Sequence, residues 1–127
     1  MNGRLIMNRL LIVDDALIMR MKIREIAMRA GWTVVAEAAN GADAVRLFNE
    51  HRPELVTLDM VMPEMDGLSA LKAIRERDPQ ANVVMISAID QKEKLRECIA
   101  EGAVDFVVKP FDPQRLFSFF EHYRQDD

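Results

Sequence analysis

Five short apolar runs, separated by segments of helix length, constrain this chain more than any other feature. They cover 9–14, 33–37, 55–59, 82–87 and 104–108. Each is nearly continuous in hydrophobic residues rather than alternating, the pattern of strands buried on both faces. Helical patterns fill the intervals at about 17–30, 42–51, 67–78 and 91–101, and a last one spans 113–124. Gly31, Gly41, Gly67 and Gly102 punctuate element ends, Pro53 and Pro79 fall in connections, and Pro113 takes a first helical position. Alternating β and α elements imply a parallel sheet with right-handed crossovers. The expectation is an α/β sandwich, βα repeated five times.

Four of the runs end in polar residues suited to phosphoryl chemistry. The first runs into Asp14-Asp15, the third into Asp59, the fourth into Ser87 and the fifth into Lys109-Pro110. Parallel strands bring their carboxyl ends to one sheet edge, where open α/β folds place ligands. Taken singly, each residue has an ordinary reading. One of Asp14 and Asp15 can cap the helix starting near Ala16, Asp59 and Ser87 can serve turns, and Lys109 can be a solvated charge. Together they say more. Three carboxylates brought within several ångströms repel unless a cation sits among them. All-oxygen ligation by few protein groups suits Mg²⁺. Lys109 then neutralises a phosphoryl oxygen, Ser87 donates a hydrogen bond to another, and Asp59 is the nucleophile that forms an acyl phosphate.

Composition removes competing classes. At 127 residues the chain is about one domain. A net charge of −4 and a pI near 5.2 argue against direct nucleic-acid binding. No apolar stretch approaches the roughly 20 residues that span a bilayer, so no membrane insertion is expected. Residues 1–8 carry Asn2 and Arg4 and lack a signal-peptide core. They read as an N-terminal extension, with Met7 as an alternative start. Cys98 stands alone, which excludes an internal disulfide framework, suits a cytoplasmic setting and reads as a small buried hydrophobe. Met60, Met62 and Met65 read as gap-fillers beside the site, and Trp32 as packing.

The segments Leu11-Ile-Val-Asp14-Asp15, Asp59-Met-Val-Met-Pro63-Glu-Met-Asp-Gly67, Ser87-Ala88 and Phe106-Val-Val-Lys109-Pro110-Phe111 resemble, in order and spacing, the receiver domain of two-component response regulators. The resemblance covers about Arg9 to Tyr123 and is nearest to the single-domain chemotaxis regulators. It implies a flavodoxin-like, doubly wound (βα)5 fold with strand order 2-1-3-4-5 and a single receiver domain over 9–125. It implies Mg²⁺ held by Asp15 and Asp59 directly, by Asp14 mainly through water, and by the main-chain carbonyl of Val61. It implies transfer to Asp59 from the phosphohistidine of a sensor histidine kinase, and a cis peptide at Lys109-Pro110.

The resemblance implies further roles, carried over by position. Ser87 and Phe106 are the switch pair. The face formed by the fourth helix, fifth strand and fifth helix is the output surface, represented by Lys92, Leu95, Ile99, Phe106 and Phe119. Its partner is a downstream protein such as a flagellar motor switch protein, or a second copy of the chain in a homodimer. Phe119 is either part of that surface or peripheral core. Two departures from the family pattern stand out: Ser87 replaces the common Thr, and Phe106, at the aromatic switch position, has no hydroxyl to hydrogen-bond to a partner. Val61 and Ile89 flank the path of an attacking water and are apolar, which predicts slow self-dephosphorylation.

An aspartate-nucleophile phosphatase of the haloacid dehalogenase type needs an acid/base Asp two residues after the nucleophile, where this chain has Val61. A flavodoxin-like nucleotide binder needs a phosphate loop after the first strand, where Asp14-Asp15 would repel phosphate. A phosphorelay intermediate, or a receiver cut from a DNA-binding regulator, shares every site residue and stands as the alternative. The chain stops just after its last helix, so as a complete product it would be read out by docking.

Overall fold

The apolar runs become strands because each offers side chains to both faces. The computed structural model describes residues 7–88 and 90–125. Five strands, β1 (Arg9–Val13), β2 (Thr33–Ala38), β3 (Leu55–Asp59), β4 (Val83–Ala88) and β5 (Asp105–Lys109), alternate with five helices. The helices are α1 (Leu17–Arg29), α2 (Gly41–His51), α3 (Gly67–Arg77), α4 (Lys92–Ala100) and α5 (Pro113–Tyr123). All strand pairs are parallel and the sheet order is β2-β1-β3-β4-β5. This is the doubly wound flavodoxin-like fold, as expected.

Alternate residues of one strand feed two separate cores. Leu11 and Val13 join Val56, Leu58, Val83 and Met85 beneath α2, α3 and α4, where Phe48, Leu71 and Ile74 pack. Leu10 and Ile12 join Leu55, Val84, Ile86 and Val107 beneath α1 and α5, against Ile23, Ile26, Leu116 and Phe120. The continuous runs hold for the central strands; at the edges, β2 and β5 are only partly buried because one side lacks a neighbour. Trp32 is packing, with its Nε1 donating to the Phe120 carbonyl at 2.8 Å. Cys98 is buried, and burial pushes its thiol up to about 11.

Local chemistry sets the helix starts. Asn40, Asp66 and Asp112 cap α2, α3 and α5 by accepting from the backbone N–H of Asp43, Ser69 and Gln114. At the first helix the ordinary capping reading of the Asp14-Asp15 pair does not hold. Its cap position is Ala16, and neither Asp14 nor Asp15 caps it; Asp14 Oδ1 accepts from the Ala16 N–H instead, closing a tight turn before the helix. Asn8, expected in the N-terminal extension, is tied into the fold. Its side-chain amide exchanges hydrogen bonds with the Gln125 backbone at 2.9 and 2.7 Å. Residues 1–6 of that extension lie outside the described residues, as does Ile89.

One buried group stands out in β3. Thr57 is fully buried and its Oγ1 has no hydrogen-bond partner among the described residues. A hydroxyl left without a partner costs about 1–3 kcal/mol of desolvation. Thr57→Val keeps the shape and removes that group, so it should raise unfolding stability by about 1 kcal/mol or more. Urea denaturation of the two proteins measures the difference, and a less stable variant would mean that the hydroxyl does have a partner.

Candidate functional site

Parallel pairing aligns the strand ends, and with them the polar residues of the motif. Asp14 follows β1, Asp59 ends β3, and Ser87 and Lys109 lie at the carboxyl ends of β4 and β5. Carboxylate oxygens of Asp14, Asp15 and Asp59 all lie within 4.8 Å of one another. Asp14 and Asp59 are buried, while Asp15 is exposed. Lys109 reaches across β4 to the acids, and its Nζ donates to Asp14 Oδ2 at 2.8 Å and to Asp59 Oδ1 at 3.1 Å. The Lys109–Pro110 peptide bond is cis.

The electrostatics are unbalanced. Burial, and next the neighbouring Asp14 charge, raise the Asp59 carboxyl above the usual carboxylate value, and the Lys109 ammonium only partly offsets them. Burial alone would lower the Lys109 ammonium, but its hydrogen bonds and charge contacts with Asp14 and Asp59 outweigh that and raise it. Three carboxylates against one ammonium leave an excess of negative charge, all of it on oxygen ligands. That donor set fits a hard divalent cation such as Mg²⁺, which binds through few carboxylates and keeps several waters.

The backbone around Asp59 is closely fitted. The Gly67 N–H donates to the Met60 carbonyl at 2.8 Å, and a methyl group at 67 would collide with the Asp59 carbonyl. Gly41 is packed in the same way against the Met65 carbonyl, locking α2 to the loop after β3. Both glycines read from the sequence as punctuation, yet each is required by a close backbone approach. Val61, two residues beyond Asp59, is 61% exposed at the mouth of the site.

Ser87 is buried, and its Oγ donates to the Ala88 carbonyl at 3.2 Å rather than to Asp59. Pairing sets Ser87 opposite Val108 and Met85 opposite Phe106. Val108 and Phe106 line a groove of about 420 Å³ together with Lys92, Leu95, Arg96 and Ile99. Lys92, Leu95, Ile99 and Phe106 are therefore brought together as expected, with Phe106 43% exposed. Phe119 is not among the residues lining the groove. It is half-buried, with its ring 5.6 Å from Phe120 and 4.7 Å from Tyr123, at the margin of the α1–α5 core. Arg96 and Val108 were not singled out from the sequence; the alternation of β5, which puts Val108 on the face of Phe106, was the available signal.

An open sheet of order 2-1-3-4-5 with three acids, a hydroxyl and a lysine at its carboxyl edge defines an acidic, phosphate-directed site of the receiver type. The family model described as "Response regulator receiver domain" matches residues 10–121, and the chain belongs to that family. Within it the chain is CheY-like. It is 52% identical over 109 residues to the chemotaxis protein CheY of Bacillus subtilis, covering 86% of this chain and 91% of that protein. It is 47% identical over 108 residues to CheY of Thermotoga maritima, covering 85% and 90%. Among solved structures, CheY in the CheX-CheY-BeF3-Mg complex of Borrelia burgdorferi superposes with a TM-score of 0.81 at 37% identity, covering 88% of each chain. The response regulator domain of Thermotoga maritima CheB superposes at 0.84 with 29% identity, covering 96% and 99%. Receiver domains are phosphoacceptor switches rather than conventional enzymes. No helix of the described residues is long and apolar enough to cross a membrane.

Proposed function

We propose that Asp59 accepts a phosphoryl group from the phosphohistidine of a sensor histidine kinase, with Mg²⁺, and that the α4-β5-α5 face then binds a downstream protein in chemotaxis, such as a flagellar motor switch protein. The observation that carries this reading is the buried Asp59 carboxylate, bonded to Lys109 and crowded by two further acids. Asp14, Asp15, Asp59 and the Val61 main-chain carbonyl would hold Mg²⁺. When bound, the ion shields the carboxylates and the phosphoryl oxygens from one another.

The residues of the chain do the rest. A carboxylate oxygen of Asp59 attacks phosphorus, the bond to the histidine nitrogen breaks, and the acyl phosphate remains. Lys109 holds its charge beside the accepting oxygen, and Ser87 turns its hydroxyl from the Ala88 carbonyl to a phosphoryl oxygen by rotation about one bond. Because Ser87 faces Val108 across the β4–β5 pair, its movement frees space on the side of the sheet where Phe106 and the groove lie. The result is a population shift between two states, set by their difference in affinity for phosphate. Leu17, Ile18 and Met21 on α1 and Val61 after β3 are each more than half exposed, on the two segments that follow the carboxylates of Asp15 and Asp59. Exposed apolar side chains there suit a docked donor protein rather than free phosphate. The domain is read as 9–125, working in the cytoplasm. Transfer of label from a phosphorylated histidine kinase in Mg²⁺, and its loss in EDTA, tests the reading; transfer that persists in EDTA would refute it.

Val61 and Ile89 give a second expected outcome. Both are apolar, so neither orients water for hydrolysis of the acyl phosphate. Installing Asn at 61 and Glu at 89 should lower the barrier by about 1–2 kcal/mol, roughly tenfold in rate. The decay of label after removal of the donor measures it, and an unchanged or slower decay would count against the assignment.

A further inference from the structure

We propose that Arg20 is a positioning residue of the phosphoryl-transfer site: it fixes the corner carrying Asp14 and Asp15 through the Asp14 carbonyl, and ties that corner to edge strand β2 through Glu37. The inference rests on the reading of the three acids as a Mg²⁺-assisted phosphoacceptor.

The corner between β1 and α1 lacks the usual closure. Its cap residue is Ala16, with no side-chain cap, and the first turn of α1 has no acidic residue. Arg20, one turn into the helix, reaches back instead, and its Nη1 donates to the Asp14 carbonyl at 2.7 Å. Its Nε donates to Glu37 Oε1 at 3.1 Å, and the other oxygen of Glu37 accepts from the Arg24 guanidinium. The side chains of Arg20 and Glu37 are only 16% and 18% exposed. A pair so shielded holds its geometry better than an open surface pair, which contributes little.

With Arg20 in place, every hydrogen-bonding group of Asp14 is engaged. Its N–H donates to the Ala38 carbonyl at 3.0 Å, Oδ1 accepts from Ala16, Oδ2 accepts from Lys109, and its carbonyl accepts from Arg20. Two consecutive residues of β2 therefore grip the corner, Ala38 through Asp14 and Glu37 through Arg20. Asp15 has no hydrogen bond or ion pair of its own among the described residues, so its carboxylate is aimed only by the backbone that Arg20 holds. A charge at position 37, inside an otherwise apolar run apart from its first residue, was the sequence signal for this device.

Positioning and plain electrostatics predict opposite signs. As a mere positive charge near three carboxylates, Arg20 opposes a cation, and its removal would tighten Mg²⁺ binding. As a positioning residue it supports the cation, and its removal weakens binding. The test is calorimetric Mg²⁺ titration of the wild type, Arg20→Met and Arg20→Lys at fixed pH and ionic strength, with thermal melts of each. Supporting groups around a metal site are worth roughly tenfold or more in affinity. We expect about a tenfold weaker Mg²⁺ affinity for Arg20→Met, with Arg20→Lys between it and the wild type because lysine keeps the charge but loses the fork. If Arg20→Met does not fold, Arg20→Lys carries the test alone, since a retained charge with a lost fork predicts weakening only under positioning. Unchanged or tighter binding in the folded variants, including a fall in Tm alone, would overturn the inference and leave the phosphoacceptor reading intact. A wild type that binds no Mg²⁺ would overturn both.

Discussion

Replacing Asp59 with asparagine should leave a folded protein that takes no label from acetyl phosphate and is more stable than the wild type at neutral pH. The first part follows from chemistry: the amide is a poor nucleophile and cannot form the acyl phosphate that releases acetate. The second follows from linkage. Burial and the Asp14 charge raise the Asp59 carboxyl above its ordinary 3.8, so ionising it costs the folded state free energy. That cost is fully present above the raised value and disappears as the pH falls below the ordinary one. Melts in EDTA should show the asparagine variant ahead at pH 7, with the gap closing towards pH 4. Mg²⁺ should narrow or reverse the gap at neutral pH, because it binds and stabilises the native wild type. A variant less stable than the wild type at pH 7 in EDTA would show that Lys109 outweighs burial and Asp14.

Lys109 gives the other large effect. Its ammonium is the one cationic group bonded to the side-chain carboxylates of Asp14 and Asp59 among the described residues. Removing one partner of a fully buried pair costs about 3–5 kcal/mol because the remaining charge stays uncompensated. Lys109 keeps 21% of its side chain exposed, so Lys109→Met should cost less, about 2–3 kcal/mol without Mg²⁺. Part of that loss should return on adding Mg²⁺, which neutralises the same oxygens. Labelling by acetyl phosphate should slow by about a hundredfold, the scale of losing one charge-stabilising donor in a transition state. Denaturation with and without Mg²⁺, alongside labelling rates, measures both. Equal stability of variant and wild type in EDTA would show that the ammonium does not hold the acids together.

The architecture was legible in the chain because doubly buried strands leave so plain a pattern: Leu10 to Val13, and Leu55, Val56 and Leu58, present apolar side chains to both layers. The site was legible because its residues follow directly on strand ends, where sheet topology rather than side-chain packing decides who meets whom. Three things were not. One of Asp14 and Asp15, taken alone, could have capped the helix, and Asp14 is instead a turn-former whose other oxygen binds Lys109; a helix cap and a tight turn draw on the same residue type. Arg20 and Glu37 come from elements that meet only in the folded sheet, so their bond has no local signature. Phe119 sits at an edge of its helix, where a few degrees of rotation separate surface from core, and rings on its own helix draw it inward.

The central claim is that Asp59 carries the phosphoryl group, and the most direct measurement locates it. The protein is labelled with acetyl phosphate in Mg²⁺, reduced with borohydride, which converts an aspartyl phosphate to homoserine, and mapped by tandem mass spectrometry. The account predicts homoserine at position 59, present with Mg²⁺ and absent with EDTA. Homoserine at Asp14 or Asp15, or a phosphoryl group on Ser87 or His51 with Asp59 unmodified, would contradict it.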